Sequence, residues 1–294
     1  MAHEAPLNRR HFLSGIGLAG ATLATTSLIA GCGDSDVHAA TTPETDVLNF
    51  ALNLEYLEAT LYSYLVNGTD IPASSTGSSN STPTGAITGA PAKLAGLPSQ
   101  ISDLLAEIYF DEISHVNTLR IVLGSLAIPR PALKLDTLSA ITSDNYLSYL
   151  RLIEDIGVTA YAGVVQSLTQ ANLQASAQIL ATEAFHSGAL RLLAIQNGAA
   201  YPTSAAPADG FDIIPLDPGP TNSINGPTTA GAFFATAGTT GNSNSTFLQT
   251  NTYPGFAYTR STSLVLAYLY RNTATGTTSG GFFPSGFNGN IKSV

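Results

Sequence analysis

Leu54, Leu57, Leu61 and Leu65 recur at three- and four-residue spacing, the period of one face of an α-helix. This pattern predicts a helix that opens at Asp46, an N-cap residue type, and stops at the helix-ending pair Asn67-Gly68. A Ser/Thr/Gly/Pro-rich linker follows from Thr69 to Pro98. Three further periodic stretches predict helices over Ser99 to Gly124, from a cap at Ser143 or Asp144 to Thr169, and from Asn172 to Asn197-Gly198. The last two are separated by only a few residues, so they are expected to be antiparallel neighbours. Between the second and third helices lies Ser125 to Ser143, with Pro129 and Pro131. At ~3.3 Å per extended residue this segment can run the length of a bundle, as a long crossover does. From Ala199 onward the texture is Gly, Thr, Ser, Asn and Pro, with one more helix expected around Arg260 to Arg271. The rest of that region reads as short strands and loops wrapping the bundle. The expectation is a mainly α fold with a C-terminal addition.

The chain repeats itself. Glu55-Tyr56-Leu57-Glu58-Ala59-Thr60-Leu61-Tyr62 aligns with Glu154-Asp155-Ile156-Gly157-Val158-Thr159-Ala160-Tyr161, matching Glu, Thr and Tyr at offsets 0, 5 and 7. Glu112-Ile113-Ser114-His115 aligns with Glu183-Ala184-Phe185-His186, and Arg120 with Arg191. Glu and His three apart share a helical face, so both can ligate one ion. The chain order is therefore Glu, Glu-x-x-His, Glu, Glu-x-x-His over four helices, the ligand set of a carboxylate-bridged pair of metals. Seven Glu and three His occur from Cys32 onward, and two of those His stand three after a Glu. Random placement gives that about 1 time in 1,400, before the alternation of helices is counted. Glu55, Glu112, His115, Glu154, Glu183 and His186 are the candidate metal ligands. Hard oxygens with two imidazoles suit two divalent iron or manganese ions. Glu58 competes with Glu55, but the repeat places Gly157 opposite Glu58, which assigns Glu58 to the surface or behind the ligands. Tyr62 and Tyr161 lie two turns past their Glu and are expected to hydrogen-bond ligand carboxylates, with a redox role as the alternative. Asp111 and Asp155, next to ligands in sequence, are expected to be solvated. Arg120 and Arg191 are expected to meet acids or helix C-termini.

Charge and the N-terminus change the setting. Charged residues make up 11% of the chain and the net charge is −9, with no Lys/Arg cluster, which excludes a nucleic-acid partner. Asn8-Arg9-Arg10-His11-Phe12-Leu13 opens a charge-free stretch to Gly31 that resembles a twin-arginine export signal. It ends Leu28-Ile29-Ala30-Gly31-Cys32, similar to a bacterial lipoprotein cleavage box with Cys32 as the lipidated residue. Cleavage near Ala39 or Ala40, or a permanent anchor, are the alternatives. Cys32 is the single cysteine, so neither a disulfide framework nor a thiolate metal site is available. The expected division is a signal over 1–31, a tether over 32–45, the bundle over 46–198 and a C-terminal region over 199–294.

With these residues in view, the helical segment resembles the ferritin-like superfamily, whose bacterioferritin and rubrerythrin branches share the Glu-to-Tyr offset of seven. Asn49-Phe50-Ala51-Leu52-Asn53-Leu54-Glu55-Tyr56-Leu57-Glu58-Ala59 and Gly280-Gly281-Phe282-Phe283-Pro284-Ser285-Gly286-Phe287-Asn288-Gly289 resemble more closely a branch that includes plant desiccation-related proteins. The resemblance implies a four-helix bundle with a long crossover. The expected function is an exported di-iron or di-manganese oxidoreductase that handles oxygen or peroxide in stress protection. It would sit in the periplasm or cell envelope of a bacterium, held to a membrane by its lipid, with a homo-oligomer left open. A non-catalytic metal-stabilised envelope protein is the second reading and iron storage the third.

Overall fold

A computed structural model describes residues 43–77, 84–197 and 259–294. The expected export signal over 1–31, Cys32, nearly all of the expected tether and residues 198–258 lie outside the described residues. Four long helices form the frame: α1 (Glu44–Asn67), α2 (Ser99–Leu123), α3 (Tyr146–Val164) and α4 (Gln170–Gln196). A fifth, α5 (Thr262–Tyr270), follows in the C-terminal segment. None of the helices described is long and apolar enough to cross a membrane.

Hydrogen bonds at the helix ends fix the directions. Asn49, near the start of α1, donates to Leu126 O just past the end of α2 and accepts from Ile128 N. Leu65 O, near the end of α1, accepts from Leu94 N ahead of α2. These two helices are therefore antiparallel. Glu44, at the start of α1, accepts from Thr169 N beyond the end of α3, so α1 and α3 also run oppositely. The connection from α2 to α3 must then travel the length of the bundle, as its length predicts. On the way, β2 (Leu133–Lys134) pairs in parallel with β1 (Ile87–Thr88) of the α1–α2 linker, Ile87 opposite Leu133 and Thr88 opposite Lys134.

Helix boundaries shift slightly from the sequence expectation. The first helix starts at Glu44 after Pro43, and Asp46 sits in its first turn, where an acid favours the N-terminal dipole. The third starts at Tyr146, with Asn145 rather than Ser143 or Asp144 at the cap position. Asn145 turns its Oδ1 back to Thr142 N. A 3₁₀ turn, Val165–Ser167, ends that helix before Thr169, and α4 then begins at Gln170.

The first helix is enclosed on all sides: every residue from Val47 to Ser63 is buried. The leucine stripe accounts for one side. Another side is closed by the C-terminal tail, in which Phe282, Phe283 and Phe287 are buried in the main apolar core with Phe50, Leu54 and Leu57. Asn53 donates to Asn288 O and accepts from Asn288 N, so one side-chain amide satisfies both backbone groups of the tail. The tail is thus part of the core rather than a wrapping over it. Ser261 caps α5 by accepting from Leu264 N, and the helix packs on α3. Just before it, the Arg260 carbonyl lies 1.9 Å from where a Cβ on Gly163 would stand, so only glycine lets the backbone come this close to α3.

Candidate metal centre

The six predicted ligands come from four helices and meet in the interior: Glu55 on α1, Glu112 and His115 on α2, Glu154 on α3, Glu183 and His186 on α4. Five are fully buried and His115 is 7% exposed. Their atoms fall into two overlapping sets of four, Glu55–Glu112–His115–Glu183 and Glu112–Glu154–Glu183–His186, each with ligand atoms within 4.8 Å of one another. Glu112 and Glu183 belong to both sets, where a ligand shared between two ions would stand. Glu55 and Glu154 are terminal, each beside one histidine.

His115 Nδ1 lies 3.3 Å from Glu55 Oε2, 3.3 Å from Glu183 Oε1 and 3.5 Å from Glu112 Oε2. His186 Nδ1 lies 2.9 Å from Glu112 Oε1 and 3.3 Å from Glu154 Oε2. These approaches are close but lack hydrogen-bond geometry. Both Glu112 oxygens, both Glu183 oxygens, one oxygen each of Glu55 and Glu154, and both Nδ1 atoms have no hydrogen-bond partner. Buried polar atoms without partners cost about 1–3 kcal/mol each, more when charged. So many at one place make sense only if something else satisfies them. The donor set, hard carboxylates with two imidazoles, fits a pair of first-row divalent ions.

Burial and crowding shift these groups. Burial pushes the Glu55 carboxyl up to about 7, against the opposing pull of His115. Burial, then neighbouring carboxylates, raises Glu183 well above the usual range, and burial raises Glu154. Burial would raise Glu112 too, but His115 and His186 outweigh it and hold that carboxyl below the usual range. Burial would lower both imidazoles; the facing carboxylates win and raise them.

The groups around the ligands are arranged by the repeat. Tyr62 on α1 donates to Glu154 Oε1 on α3 at 2.6 Å, and Tyr161 on α3 donates to Glu55 Oε1 on α1. Each half thus orients the terminal carboxylate of the other. Both phenols are pushed well above their ordinary value by burial and by the carboxylate each one faces. Thr60 and Thr159, also matched in the repeat, each accept from a buried arginine outside the four helices, Arg130 and Arg260.

Two expectations are overturned and two are narrowed. Asp155 is fully buried, accepting from Ser187 Oγ at 2.5 Å with Arg151 Nε 4.0 Å away. Being next to a ligand turns a side chain off the ligand face, but α3 is buried nearly all round, so that direction is core as well. Asp111 lies against a ligand: its Oδ2 is 3.3 Å from His186 Nε2, the second-partner position that fixes the ring of a metal-binding histidine. Glu58 is 2% exposed, which discards the surface alternative and leaves the one behind the ligands. Arg120 sits in the last turn of α2, the helix C-terminus expected for it, and donates to the Tyr56 hydroxyl at 2.9 Å rather than to an acid. The Asp155 partners could have been suspected from Arg151, one turn earlier on the same face. Nothing in the sequence pairs Asp111 with His186, because that contact joins two helices.

A family model described as a ferritin-like domain matches residues 43–196, about half of the chain. The chain belongs to the ferritin-like domain family. The match covers all four ligand-bearing helices, and the tail of this ferritin-like chain, from Arg260 to Val294, lies beyond it. No curated protein matches the sequence.

Proposed function

We propose that this ferritin-like protein is an exported di-iron or di-manganese oxidoreductase that reacts with a small oxidant, oxygen or peroxide, inside its bundle. The observation that carries the reading is the set of partnerless carboxylate and imidazole atoms shared between two four-residue groups. Glu55, His115, Glu154 and His186 would hold the ions individually, and Glu112 and Glu183 would bridge them. Such a pair supplies redox capacity and Lewis acidity. The chain's own residues do the rest. Tyr62 and Tyr161 hold the terminal carboxylates, and Asp111 orients His186. The surrounding core keeps bulk water out, and a small molecule would reach the centre from the side of His115, the one ligand with any exposure. The chain has one Met, one Cys and no Trp, a composition with few side chains that an oxidant would damage.

The role we assign is peroxide removal or ferroxidase-type protection under drying or oxidative stress, in the envelope of a bacterium, with Cys32 carrying a lipid. Twin-arginine export suits it because that route carries folded proteins, so metal can be inserted first. Peroxide consumption and ferrous-ion oxidation should both be assayed on Fe- and Mn-loaded protein. Turnover in either assay, lost in Glu112→Ala, supports the oxidoreductase; stable metal binding with no turnover would leave the metals a structural role. Cys32→Ser should release the mature chain from membranes, and a membrane-bound mature chain in that variant would overturn the lipid assignment.

A further inference from the structure

The two ends of the bundle differ in charge. The bonds of Asn49 to Leu126 O and of Thr169 N to Glu44 bring the start of α1, the ends of α2 and α3 and the start of α4 together at one end. The chain forming it carries no Asp, Glu, Lys or Arg from Ile121 to Pro129 or from Ile156 to Thr182. Glu44 and Asp46, the acids in the first turn of α1, are hydrogen-bonded to Thr169 and Asn290, and Arg120 is turned to the Tyr56 hydroxyl. At the opposite end Asp70, Lys93, Asp103 and Asp144 flank or open the helices.

Apolar side chains stand where charge is missing. Ile121 is 80% exposed and Leu126 63%, and Val122 and Leu173 are exposed as well. All four lie in the last turn of α2, the 3₁₀ turn after it or the first turn of α4. Phe110, Phe185 and Leu192, also exposed, stand farther from this end. A group of apolar side chains facing water marks a surface that something covers.

The tether says what covers it. The first helix opens at this same end, so the chain from Cys32 joins the fold here. The eleven steps from Cys32 to Pro43 span at most about 36 Å. The second helix alone, at 25 residues, is about 37 Å long. A lipid on Cys32 therefore keeps the uncharged end at the membrane, and the charged end could reach it only with the tether drawn straight along the whole bundle.

We propose that this end of the bundle docks on the lipid surface, with Ile121, Val122, Leu126 and Leu173 entering the boundary between headgroups and acyl chains. This rests on the reading of Cys32 as lipidated. None of the helices described can cross a bilayer, so the contact lies on the membrane and is made by apolar side chains. A chain of net charge −9 gains nothing from anionic lipid, so salt should not release this end.

The test uses the full mature chain in vesicles of phosphatidylcholine with a minor share of phosphatidylglycerol. Cys32 is the single cysteine, and with its sulfur lipidated an introduced cysteine is the one free thiol. Nitroxide labels on Ile121→Cys, Leu126→Cys and the control Leu192→Cys report depth through relaxation by oxygen against relaxation by a water-soluble nickel chelate. The oxygen-to-nickel ratio should be about fivefold higher at 121 and 126 than at 192, in low and in molar salt, as for side chains below the headgroups. Three labels equally open to nickel on a vesicle-bound chain overturn the docking while the lipid stands. Labels at 121 and 126 already shielded in a Cys32→Ser chain free in solution also overturn it: a second copy or residues 198–258 would then cover the face, and gel filtration separates those two. A wild-type chain whose Cys32 thiol reacts with maleimide and which stays off the vesicles overturns both readings.

Discussion

Stripping metal from the centre should make the protein lose stability as pH rises from 5 to 8. Glu55, Glu58, Glu154 and Glu183 are all raised in the folded chain, with burial as the first cause. A group raised above its unfolded value contributes stability that is complete below the unfolded value, near 4.5, and is lost as pH climbs through the folded one. For Glu55, a rise from 4.5 to about 7 corresponds to about 3 kcal/mol. That contribution is gone by pH 8. The raised histidines act in the same direction, contributing fully below 6.5 and progressively less above it. Glu112 is the opposite case: its lowered carboxyl contributes above about 4.5 and loses that only in more acid solution, outside this window. Metal reverses the sign, because ions need the deprotonated ligands and protons compete with them. A chain this size moves its melting temperature by about 2–4 °C per kcal/mol, so Glu55 alone should open a gap of about 6–12 °C. Thermal unfolding of chelator-treated and manganese-loaded protein at pH 5, 6, 7 and 8 would show it. A metal-free melting temperature that stays flat or rises towards pH 8, or that equals the loaded one at pH 8, would refute the convergence of these acids in one buried site.

Replacing both His115 and His186 by Ala should reduce bound metal from two ions per chain to one or none, read by elemental analysis after gel filtration; full occupancy would sink the six-ligand assignment. Asp111→Asn should weaken metal binding about 10–100-fold while leaving the metal-free melting temperature nearly unchanged, since Asp111 acts through the His186 ring; equal losses with and without metal would make it a packing residue. Phe283→Ala, at a fully buried position of the tail, should cost about 3–5 kcal/mol in urea unfolding, and a loss below about 1 kcal/mol would mean the tail does not belong to the core.

The features legible in the sequence are those that recur within one helix. Leu54 to Leu65 show a face, Glu112–His115 and Glu183–His186 show a one-turn pair, and the match of Glu55 with Glu154 singles out one acid of two neighbours, the one that lies in a four-residue group. Contacts between helices leave no such trace. The sharing of Glu112 and Glu183 between the two four-residue groups, and the crossing of Tyr62 to Glu154 and Tyr161 to Glu55, depend on which helix faces which. The two-residue pairing of Ile87–Thr88 with Leu133–Lys134 is too short to carry a periodic signal. Reading Asp155 as solvated assumed that α3 has a wet side, and the helix has almost none. A better clue lay in the polar residues of α1. Asn49 and Asn53 stand four apart among apolar neighbours, where an amide needs partners; those partners are the crossover and the tail.

The two halves of the repeat have kept the centre and diverged around it. Each keeps its Glu, its Glu-x-x-His, its Tyr and its Thr, because each of these touches the ligand set or anchors the helix that carries it. At the other positions the halves now divide the work. Asp111 backs His186, while Thr182, its counterpart, turns its hydroxyl to Gln178 O and offers His115 no carboxylate. Glu58 fills the opening at Gly157, its own counterpart. Tyr56 reaches the crossover at Ile128 O, and Asp155 in the matching place bonds Ser187 of α4. Two identical halves would give two equivalent ion positions. These differences leave His186 fully buried and backed by Asp111, and His115 7% exposed, an asymmetry that the proposed di-metal oxidoreductase would use to hold one ion and open the other to its oxidant.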